Sequence, residues 1–294
     1  MESRYRLIAV DVDGTLLDSR HGVSTANRAA LHRAHEAGVK VCLCTGRSLT
    51  EAKPVIDAIG VDSDAGIFVF GAIISRLPGG ETLRRTPLEP SVVARLVEHF
   101  HGRGYPVLAL FDTTEAGVDY QLIEGERHTA IYERWLSMSP TTVQRCDGWT
   151  PTQVAPVRIG VIDDPAHIKE TVAGLNREFS AGEIKFNPIY APNYDLHVVE
   201  CFAPQVNKWY GIQQVAGAMK IDASQVVAIG DDVNDMEMIE HAGLSVAMGN
   251  AIEPIKQMAD VVAPTNDEAG VAVTINAILD GQWNALRKNE GVSG

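Results

Sequence analysis

Short apolar runs alternate with helix-like segments through the first part of the chain. The runs Leu7–Val10, Val39–Cys44 and Gly66–Phe70 are almost continuously apolar, and segments with helical spacing separate them at Asn27–Ala37 and Thr50–Ile59. Apolar strands that alternate with helices are typical of a parallel sheet buried on both faces. The pattern therefore predicts a doubly wound, Rossmann-like α/β core.

The pattern changes in the middle of the chain and later returns. Neighbouring strands such as Pro106–Phe111 and Val118–Ile123 follow each other without a helix, which favours an antiparallel α+β module. Residues 139–156 contain three prolines and receive no assignment. Strands at 226–229, 244–247 and 261–262, with helices between them, resume the core. We predict a core over 1–86 and 195–286, an inserted α+β cap over 87–194, and a disordered tail over 287–294.

Charge narrows the function classes. The chain has 25 Lys and Arg against 38 Asp and Glu, a formal net charge of -13. A nucleic-acid-binding protein needs a basic surface, so the acidity argues against one. It leaves room for a local basic pocket that binds an anion.

Cysteines, histidines and apolar runs add little chemistry of their own. None of the four cysteines has zinc-finger spacing, and Cys42 and Cys44 are expected in the core, which suits a reduced compartment. The nine histidines show no ligand spacing, and we expect His99, His101, His128 and His241 at the surface.

No apolar run is long enough to span a bilayer and no signal region is visible, so a cytoplasmic protein with no membrane partner is expected. The sequence does not indicate an oligomeric state.

Two acidic turns follow buried strands and carry the strongest chemical signal. Asp11 and Asp13 come at the end of the first strand, and Asp231 and Asp235 follow the strand 226–229. Ligands of open α/β sheets bind at the carboxyl ends of the strands, so these four acids are expected around one point. Carboxylate oxygens without nearby His or Cys suit Mg²⁺. Magnesium usually takes only some of the carboxylates available to it, so not all four need bind the ion.

Polar and cationic residues complete the predicted site. Thr45, with the amides of the following turn at Gly46 and Arg47, can hold an anion at another strand end. Lys208 begins the resumed core, where an ammonium can meet a phosphate or neutralise the acids. Magnesium, lysine, turn amides and an attacking carboxylate together suit phosphoryl transfer.

The ordered motifs resemble those of the haloacid dehalogenase superfamily of phosphohydrolases, and most closely its Cof-type branch. The motifs are Asp11-Val12-Asp13-Gly14-Thr15, Thr45-Gly46-Arg47, Lys208 and Gly230-Asp231-Asp232-Val233-Asn234-Asp235, followed by Met248-Gly249-Asn250-Ala251 and the run from Asn266 to Ala272. The resemblance covers the core, whereas the cap matches in position and pattern only. It implies Mg²⁺-dependent hydrolysis of small phosphorylated metabolites, with sugar phosphates as the leading class.

The resemblance also assigns roles to individual residues. Asp11 is expected to be the nucleophile that forms an aspartyl-phosphate, and Asp13 the general acid and then the general base. Mg²⁺ is expected on Asp11, the backbone carbonyl of Asp13 and Asp231, with Asp235 close behind. Phosphate or substrate contacts are expected from Thr45, Gly46, Arg47, Lys208 and Asn234, and for Arg47 a salt bridge that holds the loop is an equal alternative.

Two departures from the family pattern keep other functions open. Phe70 stands where these proteins commonly have asparagine, and Trp209 follows the lysine where glycine is usual. An alternative within the enzyme class is a phosphomutase of the phosphomannomutase type. A further alternative is a catalytically inactive protein that binds sugar phosphates or has a regulatory role.

Overall fold

The computed structural model describes residues 4–60, 64–191 and 195–282. The predicted tail at 287–294 lies outside these residues. The chain divides into two compact units. We call Met1–Arg47, Ala52–Leu83 and Asn207–Gly294 the core unit, and Ser48–Glu51 and Arg84–Val206 the cap unit.

The first part of the chain forms the start of the core unit and has the predicted alternation. Its elements are β1 (Leu7–Asp11), α1 (Thr25–Glu36), β2 (Lys40–Cys44), α2 (Leu49–Ile59), β3 (Ala65–Phe68), β4 (Ile73–Ser75) and β5 (Thr82–Arg85). Every residue of β1 is buried, as the apolar run requires. Ser24 caps α1 by accepting a hydrogen bond from the Asn27 amide.

The middle of the chain builds the cap unit. Its elements are α3 (Pro90–His101), β6 (Val107–Leu110), α4 (Thr113–Ala116), β7 (Tyr120–Ile123), α5 (Thr129–Met138), β8 (Val143–Cys146), β9 (Arg158–Asp163), α6 (Ile168–Glu178), β10 (Lys185–Ala191) and β11 (Leu196–Phe202). The described strands form one sheet in the order β10-β11-β9-β6-β7-β8. Apolar side chains of α3 and α6 pack on the sheet to form its hydrophobic core.

The cap unit differs from the sequence-based expectation in detail. The division of the chain places its end at Val206 rather than 194, because β11 pairs with both β9 and β10. The sheet is antiparallel except that β7 and β8 are parallel, since α5 crosses between them. The stretch left unassigned at 139–156 supplies β8.

Two histidines expected at the surface are not there. His99 is buried on α3, where its imidazole pairs with Glu178 of α6 and lies edge-on to Phe179. His128 is partly buried, with 17% of its side chain exposed. The expectation for His99 was wrong because the spacing of polar positions within α3 does not show that α6 packs against part of this helix.

The last part of the chain completes the core unit. Its elements are α7 (Lys208–Ala218), β12 (Val226–Gly230), α8 (Met236–His241), β13 (Leu244–Ala247), α9 (Glu253–Met258), β14 (Val261–Val262) and α10 (Gly270–Leu279). Among the described residues, the core sheet has the strand order β14-β13-β12-β1-β2-β3-β4-β5. Neighbours from β14 to β3 are parallel, and β4 returns antiparallel to β3.

The register of the core sheet brings three strand ends together. Asp11 lies opposite Cys44, and Val10 lies opposite Ile229. The residues that follow β1, β2 and β12 therefore leave the sheet at one edge. The predicted α/β fold with strand-end acids is confirmed. No helix in the described part of the chain has both the length and the apolar character needed to cross a membrane.

Candidate active site

The turn after β1 brings the first acidic motif against the second. Gly14 has a φ of +78°, and a Cβ added there would lie 2.3 Å from Oδ2 of Asp231. Glycine is therefore required for both the left-handed backbone and the close approach of the Asp231 carboxylate. The side chain of Asp11, the last residue of β1, is buried at this junction.

Three carboxylates meet at this edge of the sheet. One oxygen from each of Asp11, Asp231 and Asp235 lies within 4.8 Å of the others. Burial raises the pKa of Asp11 well above its usual value, although Lys208 opposes the rise, and the charges of Asp235 and Asp231 add to it. Burial and Asp235 likewise raise the pKa of Asp231 to about 6. The cluster thus concentrates negative charge that a cation would relieve.

Lys208 is the buried cation of the site. Its Nζ donates to Asp11 Oδ1 at 2.5 Å, to Asp235 Oδ1 at 2.6 Å and to Asn234 Oδ1 at 2.5 Å. Burial disfavours the ammonium, but the two carboxylates outweigh burial and raise the pKa of Lys208. The residue is also the first of α7, where the helix dipole opposes a positive charge. The acids are therefore what holds this lysine charged and buried.

Asp235 and Asn234 support the cluster. Oδ2 of Asp235 accepts hydrogen bonds from the amides of Asp231 and Asp232, at 2.9 and 3.1 Å, while its Oδ1 faces Lys208. Both oxygens of Asp235 therefore already have protein donors. Asn234 directs its side-chain oxygen at Lys208, and its expected contact with phosphate or substrate stays a prediction.

Asp13 and Arg47 form a separate ion pair. The Arg47 guanidinium donates from Nε to Asp13 Oδ2 at 2.9 Å and from Nη2 to Oδ1. The side chain of Asp13 is 40% exposed, in contrast to the buried Asp11. Of the two roles considered for Arg47, the structure has the salt bridge that holds the loop.

Thr45 and Gly46 lie at the end of β2 under an aromatic ring. Thr45 is buried, and its hydroxyl accepts a hydrogen bond from the Arg47 amide at 3.1 Å. A Cβ on Gly46 would lie 2.3 Å from Cζ of Phe70, so the Phe70 ring covers this turn. Phe70 itself has a φ of 55°, in the left-handed region where asparagine is better tolerated. This departure from the family pattern therefore changes the surface next to the expected phosphate position.

The second departure, Trp209, leaves the start of α7 intact. Asn207 caps the helix by accepting a hydrogen bond from the Tyr210 amide at 2.7 Å. The indole is buried and lies 5.8 Å, centroid to centroid, from the His241 ring of α8. Trp209 therefore packs within the core unit and does not displace Lys208.

Some supporting residues were quoted in the sequence motifs without a role. The buried Thr15 hydroxyl donates to Asp231 Oδ1 at 2.8 Å and so lowers the pKa of that carboxyl. Asn250 donates to the Gly14 carbonyl, and Asn266 donates to the Leu17 carbonyl, both at 2.8 Å. These bonds fix the turn that follows β1. The signal that could have found them is that they are uncharged polar residues within the quoted motifs.

The donor set fits a hard divalent cation. Burial first, and the neighbouring carboxylates second, raise the pKa values of Asp11 and Asp231, and no imidazole or thiol ligand belongs to this cluster of described residues. The neighbouring Cys44 thiol has a raised pKa because it is buried, and so remains a neutral core group. An oxygen-only site of this kind suits Mg²⁺.

Comparison with known proteins agrees with the motifs. Residues 8–275 match the family profile of haloacid dehalogenase-like hydrolases. Phosphatase YwpJ of Bacillus subtilis is 29% identical over 93% of this chain and 100% of its own. The 5-amino-6-(5-phospho-D-ribitylamino)uracil phosphatase YwtE of the same species is 26% identical over 95% and 99%. Phosphoglycolate phosphatase of Methanothermobacter thermautotrophicus is 29% identical over 93% and 99%.

Solved structures share the fold. A haloacid dehalogenase-like hydrolase from Bacteroides thetaiotaomicron superposes with a TM-score of 0.76 over 93% of this chain and 99% of its own, at 24% identity. The predicted family and fold are confirmed, and relatives named as phosphatases support the predicted enzyme class. The chain belongs to the haloacid dehalogenase-like hydrolase family.

Proposed function

We propose that the protein is a Mg²⁺-dependent phosphatase that hydrolyses small phosphate monoesters, with sugar phosphates favoured, through an aspartyl-phosphate on Asp11. One observation carries the proposal. Asp11 is a buried carboxylate at a strand end, held by the buried ammonium of Lys208 and facing the carboxylates of Asp231 and Asp235. A fold gains little stability from such a cluster, whereas phosphoryl transfer needs this density of charge.

In the first half-reaction, a carboxylate oxygen of Asp11 attacks the phosphorus atom of the ester. The bond from phosphorus to the alcohol oxygen breaks, and Asp13 gives its proton to the departing alkoxide. Asp13 must first leave Arg47 and take up a proton from solvent, because a guanidinium has only N–H donors and offers no acceptor to a carboxylic acid O–H. Arg47 is then free to meet the negatively charged substrate.

In the second half-reaction, the ionised Asp13 takes a proton from water as the water oxygen attacks phosphorus. The bond between phosphorus and Asp11 breaks, which restores the Asp11 carboxylate and releases inorganic phosphate. Lys208, the Thr45 hydroxyl and the Gly46 amide are proposed to hold the phosphoryl oxygens throughout. Asn234 acts by positioning Lys208, in keeping with its bond to Nζ.

The metal would be held by Asp11, the backbone carbonyl of Asp13 and Asp231, with Asp235 behind them. When bound, Mg²⁺ supplies positive charge that lowers the repulsion between Asp11 and the phosphoryl group. The charged Lys208 ammonium already compensates one Asp235 oxygen, and two amides bind the other, which supports an indirect role for that residue.

The substrate class rests on relatives as well as on the site. Two of them are named for a phosphorylated ribityl compound and for phosphoglycolate, which are both small polar phosphate monoesters. Sugar or sugar-alcohol phosphates are therefore the first compounds to test on this chain.

The test is phosphate release from a panel of phosphorylated metabolites, with and without Mg²⁺. We expect Mg²⁺-dependent release that disappears in Asp11→Asn and persists in Asp57→Asn, which changes an exposed aspartate of α2 in the same way. Reaction in ¹⁸O-labelled water should place one ¹⁸O in each phosphate released.

Other outcomes would select the alternatives. A phosphorylated product without phosphate release would indicate a phosphomutase. Binding of sugar phosphates without any turnover would refute the proposed hydrolysis and would point to the Phe70 ring over Gly46 as the reason.

A further inference from the structure

The cap unit contains a second cluster of potential metal ligands, far in sequence from the acidic motifs. It comprises His128, Asp163 and His167, and one ligand atom of each lies within 4.8 Å of the others. All three belong to the cap unit, and they lie at element ends: His128 precedes α5, Asp163 ends β9, and His167 precedes α6.

Asp163 is a buried carboxylate without a strong cationic partner. Its side chain is fully buried, and its oxygens accept from the Tyr105 hydroxyl at 3.0 Å, the Asp164 amide at 2.9 Å and the Thr171 hydroxyl at 2.7 Å. Its one ionic contact in the described residues is with His128 Nε2 at 3.4 Å. A buried carboxylate with only neutral donors is costly unless a cation accompanies it.

The two histidines each have a buried ring nitrogen that makes no hydrogen bond in the described part of the chain. Nε2 of His128 and Nδ1 of His167 are both buried and make no hydrogen bond within the described structure. The two rings lie 6.2 Å apart, and the His128 ring also packs on the ring of Tyr105 at 5.8 Å. Two histidines with a nitrogen that lacks a hydrogen bond and one undercompensated carboxylate therefore belong to a single cluster.

The spacing and the ligand types point to a transition metal. Ligands about 2.1 Å from a tetrahedral ion lie about 3.4 Å apart. The distance between His128 Nε2 and Asp163 Oδ1 is 3.4 Å, so this pair already has the separation that such an ion requires. Imidazole nitrogen suits Zn²⁺ and its neighbours, whereas Mg²⁺ prefers oxygen alone.

A proton explains the cluster less well than a metal does. Protonation of His128 would give Asp163 an ionic partner, but the 3.4 Å contact is not a good hydrogen bond and His167 Nδ1 would remain unpaired. A bridging water could join the polar atoms but would bring no positive charge to Asp163. A divalent ion would both bind the nitrogens that lack hydrogen bonds and bring positive charge to Asp163.

We propose that His128, Asp163 and His167 form a binding site for a divalent transition-metal ion of the Zn²⁺ type. The site joins the end of β9 and the starts of α5 and α6. Three protein ligands leave one coordination position for water or another small ligand. The assignment does not rest on the proposed phosphatase activity.

The test uses the full chain, stripped of metal by chelation and then kept in excess Mg²⁺ so that the acidic site of the core unit is occupied. We expect calorimetric titration with Zn²⁺ to show one tight site, and Co²⁺ to give the visible absorption of a tetrahedral ion. His128→Asn, which tolerates the left-handed φ of 54° at that position, and His167→Gln should each weaken Zn²⁺ binding by at least about 100-fold. Zn²⁺ should also raise the melting temperature of the unsubstituted chain but not that of either variant.

Two matched controls locate the site. His101→Gln changes an exposed histidine of the cap unit, and Asp231→Asn changes the acidic cluster of the core unit; both should keep the Zn²⁺ site. Loss of Zn²⁺ binding in Asp231→Asn with retention in His167→Gln would overturn the proposal, because the ion would then bind at the acids. Absence of Zn²⁺ binding in the unsubstituted chain would overturn it as well.

One measurement does not depend on whether the variants fold. In the unsubstituted chain with ¹⁵N-labelled histidine, Zn²⁺ should shift the ring-nitrogen resonances of two of the nine histidines. If no histidine resonance shifts, the ion is not bound by imidazole and the proposal is wrong.

Discussion

Replacing Lys208 by methionine removes the buried positive charge that lies against the acids, while keeping most of the volume of the side chain. Lys208 is 1% exposed and its Nζ contacts Asp11, Asp235 and Asn234. In the Lys208→Met variant, three carboxylates would share the edge of the sheet with no buried cation among them. The substitution therefore tests whether the site is held together by this ammonium.

The expected loss of stability follows from the burial of the pair. Removing one partner of a buried ion pair costs about 3–5 kcal/mol, because the other charge is left without compensation. This cost is a large part of the free energy of unfolding of a typical protein, which is roughly 5–15 kcal/mol. The matched control is Lys53→Met, which removes an exposed lysine of α2 and should change the free energy of unfolding by less than about 0.5 kcal/mol.

The loss should depend on pH with a defined sign. Lys208 lowers the pKa of Asp11, so its removal raises that pKa further above the unfolded value of 3.8. A carboxyl group with a raised folded-state pKa stabilises the fold below its unfolded pKa, and this stabilisation is lost as the pH rises through the folded pKa. For Asp231 that window runs from 3.8 to about 6. Lys208 itself stays charged below its unfolded pKa of 10.5, so it contributes no slope between pH 5 and 8.

The assay is denaturant unfolding of both variants and the unsubstituted chain at pH 5 and pH 8, with a chelator present. We expect Lys208→Met to be destabilised most at pH 8 and less at pH 5, where the carboxyls can take up protons. With Mg²⁺ present, kcat/KM for phosphate release should fall by about 10²–10³-fold. A loss of stability equal to that of Lys53→Met, or one that does not change with pH, would refute the role given to the ammonium.

Three other experiments probe separate parts of the site. Asp13→Asn should leave the free energy of unfolding within about 0.5 kcal/mol, because the side chain is partly exposed, and should lower kcat by about 10²–10⁴-fold; unchanged turnover would exclude it as the acid and base. Thr15→Val removes a hydrogen bond to Asp231 and raises the pKa of that carboxyl from about 6. Mg²⁺ titrations of activity should therefore show a larger loss of Mg²⁺ affinity, relative to the unsubstituted chain, at pH 6.5 than at pH 8. Equal losses at both pH values would contradict this. Gly46→Ala should destabilise the fold by about 1–3 kcal/mol through its clash with Phe70, and Phe70→Ala in the same chain should relieve that loss; additive unfolding free energies would show that the two do not touch.

The core and its acids could be predicted because each rests on a local signal. The apolar runs of β1, β2 and β12 are nearly continuous, which is typical of parallel strands that are buried on both faces of the sheet. Asp11 and Asp231 follow two of these runs directly. Parallel strands end at the same edge of a sheet, so these positions in the sequence imply that the two carboxylates lie near each other. The pairing of β1 with β12 agrees with this.

The contacts within the site could not be predicted in the same way, because they depend on distances between segments far apart in the chain. Nothing local in the sequence indicates that Asn234 faces Lys208, or that Arg47 is paired with Asp13. The covering of Gly46 by Phe70 is also a matter of ring placement rather than of pattern.

The cap was harder to predict than the core for a related reason. Its strands are short, and their order in the sheet follows long-range pairing that periodicity does not encode. Asp163 and His167 are four residues apart in the sequence, but His128 joins them only because the end of β9 lies beside the start of α5.

The different surroundings of Asp11 and Asp13 suit the two roles proposed for them. A nucleophile must stay ionised although burial raises its pKa, and Asp11 accordingly lies against the Lys208 ammonium and beside the proposed metal position. A group that gives and then takes a proton needs access to solvent, and Asp13 is 40% exposed and held by Arg47 through bonds that a phosphate could replace. Similar carboxyl groups are thus separated in function by burial and by the cation each one faces.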